Sequence, residues 1–234
     1  MAIFILCAAG KGSRLGAKKP KALIELAGKP LFVHSLAKLP LTGIKQIIIL
    51  VPPNYKQEFK SSIEQHLNKK VQQKIKAMIV GGNTRQNSVA NALNYLHEIK
   101  IPNQEIVLVH NAANPFFQIK ELKILIREVK LGYGCALAQP SVDTLRVVDQ
   151  NLTVIKRLDR DYIWRTQTPQ AARFGELKKA MERAQRLGQE LTDELELLKC
   201  NNQPIKLVPT GSLNFKITFA RDLKIAEAVL NTQQ

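Results

Sequence analysis

The residues best suited to chemistry lie near the start of the chain. Ala8-Ala9-Gly10-Lys11-Gly12-Ser13-Arg14-Leu15 is followed at once by Lys18-Lys19-Pro20-Lys21. Glycines spaced Gly-x-Gly let backbone N–H groups come close to an anion, and fixed cations beside them neutralise it. The segment leaves an apolar, β-branched run, Ile3–Ala8. In open α/β sheets ligands sit at the carboxyl ends of such strands. The pattern is not a Walker A loop, which closes on Gly-Lys-Ser/Thr, and it lacks the third glycine of the dinucleotide fingerprint. A tight turn with surface lysines would also use these glycines. The pairing of Ala-Ala with Arg14 and Lys21 favours a phosphate site.

Such a loop needs a sheet to hold it. Short apolar runs at Ile3–Ala8, Gln46–Val51, Ile75–Val80 and Glu105–His110 predict strands. Between them, Pro30–Leu39, Tyr55–Leu67 and Arg85–Leu96 predict helices, the second with Phe59, Ile63 and Leu67 recurring every four residues. A further helix is expected from Ile119 to Val129. Continuous Ile/Val/Leu strands without alternation belong to a sheet buried on both faces. Their alternation with helices predicts a Rossmann-like, doubly wound, mostly parallel α/β sheet.

The rhythm changes after a short strand at Cys135–Gln139. Asp143–Val148 and Leu152–Leu158 flank Asp149-Gln150-Asn151, a hairpin pattern. Residues 138–163 are therefore expected to form a projecting β-arm on a single domain spanning 1–234. Its Leu145, Val147, Val148, Val154, Ile155 and Leu158 would be exposed in a monomer, and a two-fold dimer would cover them. Helices at Phe174–Leu187, Thr192–Lys199 and Arg221–Leu230 and a strand at Pro204–Pro209 complete the prediction.

Composition narrows the function. The 234 residues carry 35 Lys and Arg against 19 Asp and Glu, a net charge of +16. Residues 1–100 hold 16 of the basic and 4 of the acidic side chains. Such a balance suits nucleic acid, solvated lysine faces or a polyanionic small molecule. The absence of a nucleic-acid module signature and an aromatic content of 6% argue against nucleic acid as the partner. No apolar run reaches the length of a membrane span. The first residues predict a buried strand and not a signal peptide. Cys7, Cys135 and Cys200 have no zinc-site spacing and are expected to be reduced thiols of a cytoplasmic protein.

Further segments carry a resemblance. Gly81-Gly82-Asn83-Thr84-Arg85-Gln86-Asn87-Ser88-Val89, Val109-His110-Asn111-Ala112-Ala113-Asn114-Pro115, Asp143-Thr144, Asp159-Arg160, Trp164, Gln167-Thr168-Pro169-Gln170, Thr192-Asp193-Glu194 and Asn214-Phe215-Lys216-Ile217-Thr218 follow the glycine loop in order. Together with that loop they resemble the 2-C-methyl-D-erythritol 4-phosphate cytidylyltransferase family. The resemblance implies transfer of CMP from CTP to a polyol phosphate, with release of pyrophosphate, with Mg²⁺, and in a homodimer. It implies Arg14, Lys21 and Lys216 as the catalytic cations. Ala8, Ala9, Gly10, Gly12, Gly82, Ser88, Asn111 and Ala112 would bind the nucleotide. Asn114, Thr168, Thr192 and, from the arm, Thr144 and Arg160 would bind the acceptor.

Two positions after the fourth strand depart from the family pattern, Asn111 standing where the family has aspartate and Asn114 where it has arginine, and a milder change puts Ala22-Leu23 after Pro20-Lys21 where the family usually has glutamine and an aromatic or aliphatic residue. An amide at 111 is a weak Mg²⁺ ligand, and one at 114 gives a phosphate no charge. Three readings follow: a working enzyme on methylerythritol phosphate, a variant acting on ribitol 5-phosphate, or a weak or inactive nucleotide-binding relative. His110 is expected to be structural, His34 a surface or edge residue, and Asp222 a helix N-terminal charge.

Overall fold

The computed structural model describes residues 2–10, 12, 19–39, 42–211 and 213–232. In chain order the elements are β1 (Ala2–Cys7), β2 (Glu25–Leu26), β3 (Lys29–Pro30), α1 (Leu31–Leu36), β4 (Ile44–Val51), α2 (Lys56–His66), α3 (Lys69–Gln72), β5 (Ile75–Val80), α4 (Arg85–Glu98), β6 (Ile106–Asn111) and α5 (Ile119–Lys130). Then come β7 (Gly134–Pro140), β8 (Arg146–Val148), β9 (Val154–Arg157), β10 (Trp164–Arg173), α6 (Phe174–Arg186), α7 (Glu194–Cys200), β11 (Ile205–Pro209) and α8 (Ala220–Asn231).

Seven strands form one sheet in the order β11-β7-β10-β6-β1-β4-β5. The pairs β1–β4, β1–β6, β4–β5 and β7–β11 are parallel, while β10 runs antiparallel to both β6 and β7. The sheet is thus the mostly parallel α/β sheet expected from the sequence. Successive side chains of β1 alternate between its faces. Phe4 and Leu6 pack with Phe32 of α1, Phe59 of α2 and Leu122 of α5. Ile3 and Ile5 pack with Val89 and Leu93 of α4 and Leu177 of α6. A third cluster joins Leu26, Leu31, Phe116 and Ile217 to Ala226 and Val229 of α8. It clamps the segment that carries Lys216.

The sequence did not predict β10. Pro169 cannot donate to a ladder and argues against a central strand. The structure resolves the conflict by interrupting the ladder there. Trp164–Thr166 pair with Pro140–Ala138, and pairing with β7 resumes only at Gln170, past a register shift. The Thr168–Pro169 peptide, which is cis, lies in this gap.

The hairpin of β8 and β9 is a separate two-stranded sheet. Asp149 closes its turn, with Oδ1 accepting from the backbone N–H of Asn151 and of Thr153, both at 2.9 Å. His34, expected at the surface or an edge, is half-buried, with Nε2 2.8 Å from Leu26 O. Asp222 does sit in the first turn of α8, where Oδ2 accepts from the backbone N–H of Thr218 and Phe219 at 2.7 and 2.9 Å. No helix among the described residues is long and apolar enough to cross a membrane.

Candidate active site

Because β1, β4, β5 and β6 are parallel neighbours, their carboxyl ends open on the same edge of the sheet. The chain crosses from one side of β1 to the other between β5 and β6, the topology that leaves a crevice at such an edge. A cavity of about 910 Å³ occupies it. Its wall takes Cys7 through Gly10 from the end of β1, Pro52 to Tyr55 from beyond β4, Gly81 to Arg85 from beyond β5, and Asn111 to Ala113 from β6. Lys19, Lys21 and Lys216 complete it.

Small residues make the crevice possible. A Cβ on Gly81 would lie 2.4 Å from the Ala9 Cβ, so the β1 and β5 exits touch only because the residue is glycine. Gly12 has φ +73°, and a Cβ there would lie 2.8 Å from that of Lys21. The backbone of Gly12 therefore lies directly against Lys21, whose N–H donates to Gly10 O at 3.3 Å. Ser88 Oγ accepts from the Gly82 N–H at 3.0 Å and donates to Thr84 O at 2.8 Å, fixing the β5 exit against α4.

A second cavity of about 400 Å³ adjoins the first. Asn114, Gln139, Arg165, Thr168, Thr192, Asp193 and Asn214 contribute to its wall, and Arg85, Asn111 and Lys216 line both cavities. His110, fully buried, ties the partition together. Its Nδ1 accepts from Thr168 Oγ1 at 3.0 Å, and its Nε2 donates to Asn114 O at 2.9 Å. That tautomer follows because the Asn114 carbonyl can only accept, so the neutral ring carries its proton on Nε2; Thr168 Oγ1 in turn accepts from the Asn111 N–H at 3.2 Å. Asn114 Nδ2 donates to Asn214 O at 3.1 Å, Asn214 Nδ2 to Thr168 O at 2.7 Å, and the Ile217 N–H to Ala113 O at 2.9 Å. Lys216 is thereby sewn to the end of β6 by its neighbours on either side.

Burial sets the protonation states. It pushes the Cys7 thiol up to about 12, against the pull of Arg85, so this cavity residue stays protonated and is no nucleophile. It drops His110 to about 3, so the imidazole is neutral. Lys38 is drawn down to about 8 by burial, with Glu121 opposing. Its Nζ donates to Pro115 O at 2.6 Å and to Phe117 O at 3.1 Å, which braces the segment after β6.

The expected residues divide by location. Lys21, Lys216, Ala8, Ala9, Gly10, Gly82, Ser88, Asn111 and Ala112 line the larger cavity. Asn114, Thr168 and Thr192 line the smaller one, although the Thr168 hydroxyl is committed to His110 and that of Thr192 donates to Glu196 Oε2 at 2.9 Å. Thr144 and Arg160, in the hairpin segment, line neither. Arg14 lies outside the described residues. Sequence reasoning left out Arg85. Its signal was the pairing of the Gly81–Ser88 and Thr192–Glu194 motifs: Nη1 and Nη2 donate to the two carboxylate oxygens of buried Glu194 at 2.7 and 2.8 Å.

The residues present do not fit a protein-held Mg²⁺. No Asp or Glu lines the larger cavity, and no three His, Cys, Asp or Glu side chains gather as a metal site among the described residues. Asn111, the expected ligand, turns Oδ1 toward Arg85, whose Nε donates to it at 3.2 Å. That contact takes one of the oxygen's two lone pairs and sets a positive charge beside it.

The profile of the 2-C-methyl-D-erythritol 4-phosphate cytidylyltransferase family matches residues 2–232. The chain belongs to that family. The family's enzyme from Geobacillus thermodenitrificans is 36% identical over 230 residues, covering 97% of this chain and 95% of the relative. A crystal structure of the Francisella tularensis family member superposes with a TM-score of 0.77 at 31% identity, over 100% of this chain and 99% of that one. The fold is also that of the 4-diphosphocytidyl-2C-methyl-D-erythritol synthase from Anaerococcus prevotii, with a TM-score of 0.82 at 24% identity over 99% and 96% of the two chains. Cytidylyl transfer, expected from the motifs, is the activity of this family. These relatives do not favour the ribitol-phosphate or inactive readings.

Proposed function

We propose that the chain transfers CMP from CTP to 2-C-methyl-D-erythritol 4-phosphate through the two adjoining cavities. The observation that carries this is the partition. A phosphate at Asn111 and Lys216 faces both spaces, so a nucleotide in the larger cavity meets an acceptor in the smaller one without either moving. Among the described residues, the walls of the larger cavity carry Lys19, Lys21, Lys216 and Arg85 and no carboxylate, which suits a triphosphate.

In the reaction, a phosphate oxygen of the acceptor attacks the α-phosphorus. A bond forms between that oxygen and phosphorus, the bond from phosphorus to the bridging oxygen breaks, and pyrophosphate leaves with the electron pair. The nucleophile is already anionic, so no general base is required. What the protein supplies is alignment and stabilisation of the charge on the pentavalent centre. Ala8 to Gly12 hold the triphosphate through the backbone. Lys21 and Arg14 take its charge, and Lys216 reaches the α-phosphate from the opposite wall. Gly82 and Ser88 define the slot for ribose and the pyrimidine. Asn114, Thr168 and Thr192 shape the acceptor side. Any Mg²⁺ would take its ligands from the phosphates and water, and no step here depends on it.

The hairpin of a second subunit would complete the acceptor site with Thr144 and Arg160. Val148, Val154 and Ile155 are 42–63% exposed, and Tyr162 is 82% exposed, an apolar surface that dimerisation would cover. The test is pyrophosphate release from CTP with methylerythritol phosphate and ribitol phosphate in parallel. Release is expected with the first and little with the second. Release with neither would end the reading.

A further inference from the structure

Arg85 is out of place by the rules of helix formation. It opens α4, whose cap is Thr84, with Oγ1 accepting from the Asn87 N–H at 3.1 Å. A cation in the first turn of a helix opposes the helix dipole. Departures from local rules that the rest of the structure enforces mark positions with another task. Here the enforcement is specific. The carboxylate of Glu194 has a side chain only 1% exposed and accepts from both terminal nitrogens of Arg85. Asn111 Oδ1 takes the Nε proton. The backbone N–H of Glu194 is itself held by Gln170 Oε1 at 3.0 Å.

Donor arithmetic then points outward. A guanidinium has five N–H bonds in a fixed plane. Three are used in these contacts, leaving one on each terminal nitrogen with no protein acceptor among the described residues. The side chain keeps 28% exposure, and it lines both cavities in company with Asn111 and Lys216. Its ion pair with Glu194 is close to neutral as a unit. The contribution left is that of oriented donors, which need no reorganisation when charge develops.

We infer that Arg85 is a further catalytic residue, donating its remaining Nη2 N–H, which lies on the Nε edge beside Asn111, to the α-phosphate where the cavities meet, and that Glu194 is its positioning residue. This rests on the transfer reading above. A purely structural salt bridge would behave differently. Replacing both members of a buried ion pair by apolar residues usually preserves the fold.

The decisive variant is therefore the double one, Arg85→Met with Glu194→Leu, followed by thermal melting, CTP affinity by calorimetry and turnover by pyrophosphate release. Expected are a folded protein, CTP affinity within about threefold of wild type, and kcat at least about 30-fold lower, the loss of an oriented donor to the transition state. Arg85→Lys, which keeps the charge but loses the fork, should show the same split between kcat and CTP affinity. If the double variant does not fold, this single variant decides. Turnover within about threefold of wild type in a folded variant, or a loss wholly matched by lost CTP affinity, would overturn the assignment. An inactive wild type would instead strike at the transfer reading itself.

Discussion

The rim of the parallel strands and the β8–β9 hairpin stand at opposite extremes of support. At the rim, Ala8 to Gly10 and Asn111 to Ala113 leave strands whose bodies are fully buried, and β4 beside them is as deep: Ile3 to Leu6, Val107 to Val109 and Ile47 to Val51 have no exposure. In the hairpin, Leu152 is 80% and Ile155 63% exposed, and the two strands pair only with each other. A site can be held to a fraction of an ångström only where the elements under it are already fixed by packing. The rim is therefore suited to phosphate chemistry that tolerates no slack. The hairpin carries residues whose position depends on what covers them.

Substitutions can break this contrast. The largest effect is expected at the rim. Lys216→Ala should lower kcat/KM by about 10²–10³-fold, the range for removing one charge-stabilising donor, with an unchanged melting temperature because the side chain is exposed. A melting shift accompanying the activity loss would show that Lys216 supports the fold.

Next in size is the response of the partition to acid. His110 is held near 3 in the folded chain and titrates near 6.5 once unfolded. The unfolded state therefore binds more protons between these values. Stability from this group is complete above about pH 6.5 and is lost as the pH falls toward 3, at up to about 1.4 kcal/mol per pH unit. Denaturant melts from pH 7 to 4 should show this slope, and His110→Phe should flatten it while lowering stability at pH 7 because the Thr168 hydroxyl loses its acceptor. An unchanged slope would mean that other groups govern acid unfolding.

The hairpin should respond in the opposite sense to the rim. Ile155→Asp is expected to convert a dimer to monomers in sedimentation while leaving the melting of the sheet core unchanged. The acceptor KM should rise about tenfold, as loss of one contact worth about 1.4 kcal/mol gives, with CTP affinity unaltered. Unchanged sedimentation would remove the case for a covering partner. The smallest effect is a control on the α4 entrance: Thr84→Ala should cost about 1 kcal/mol of stability through the lost cap, read as a shift in the denaturant midpoint.

Much of this was legible in the sequence because it depends on local pattern. Strands β1, β4, β5 and β6 are short apolar runs rich in Ile and Val, and Gly10, Gly12, Gly81 and Gly82 announce the turns that follow two of them. Strand β10 was not legible, since Thr168-Pro169 breaks the ladder that defines it and only the packing of Ala171 and Ala172 between β6 and β7 restores it. Nor was the role of Arg85 or the orientation of Asn111. Arg85 and Glu194 are 109 positions apart, and no periodicity relates them. The departure at Asn111 suggested a weakened metal ligand. The structure adds that its amide oxygen accepts from the Arg85 guanidinium, a fact of tertiary geometry alone.

The claim on which the rest depends is that the α-phosphorus of CTP is joined to the acceptor at the partition. Incubating the protein with CTP labelled at the α-phosphorus and with methylerythritol phosphate tests it directly. The label should appear in a diphosphate joining cytidine to the polyol, in step with unlabelled pyrophosphate. Label released as inorganic phosphate or pyrophosphate, or retained in CTP at full occupancy of both ligands, would contradict the account.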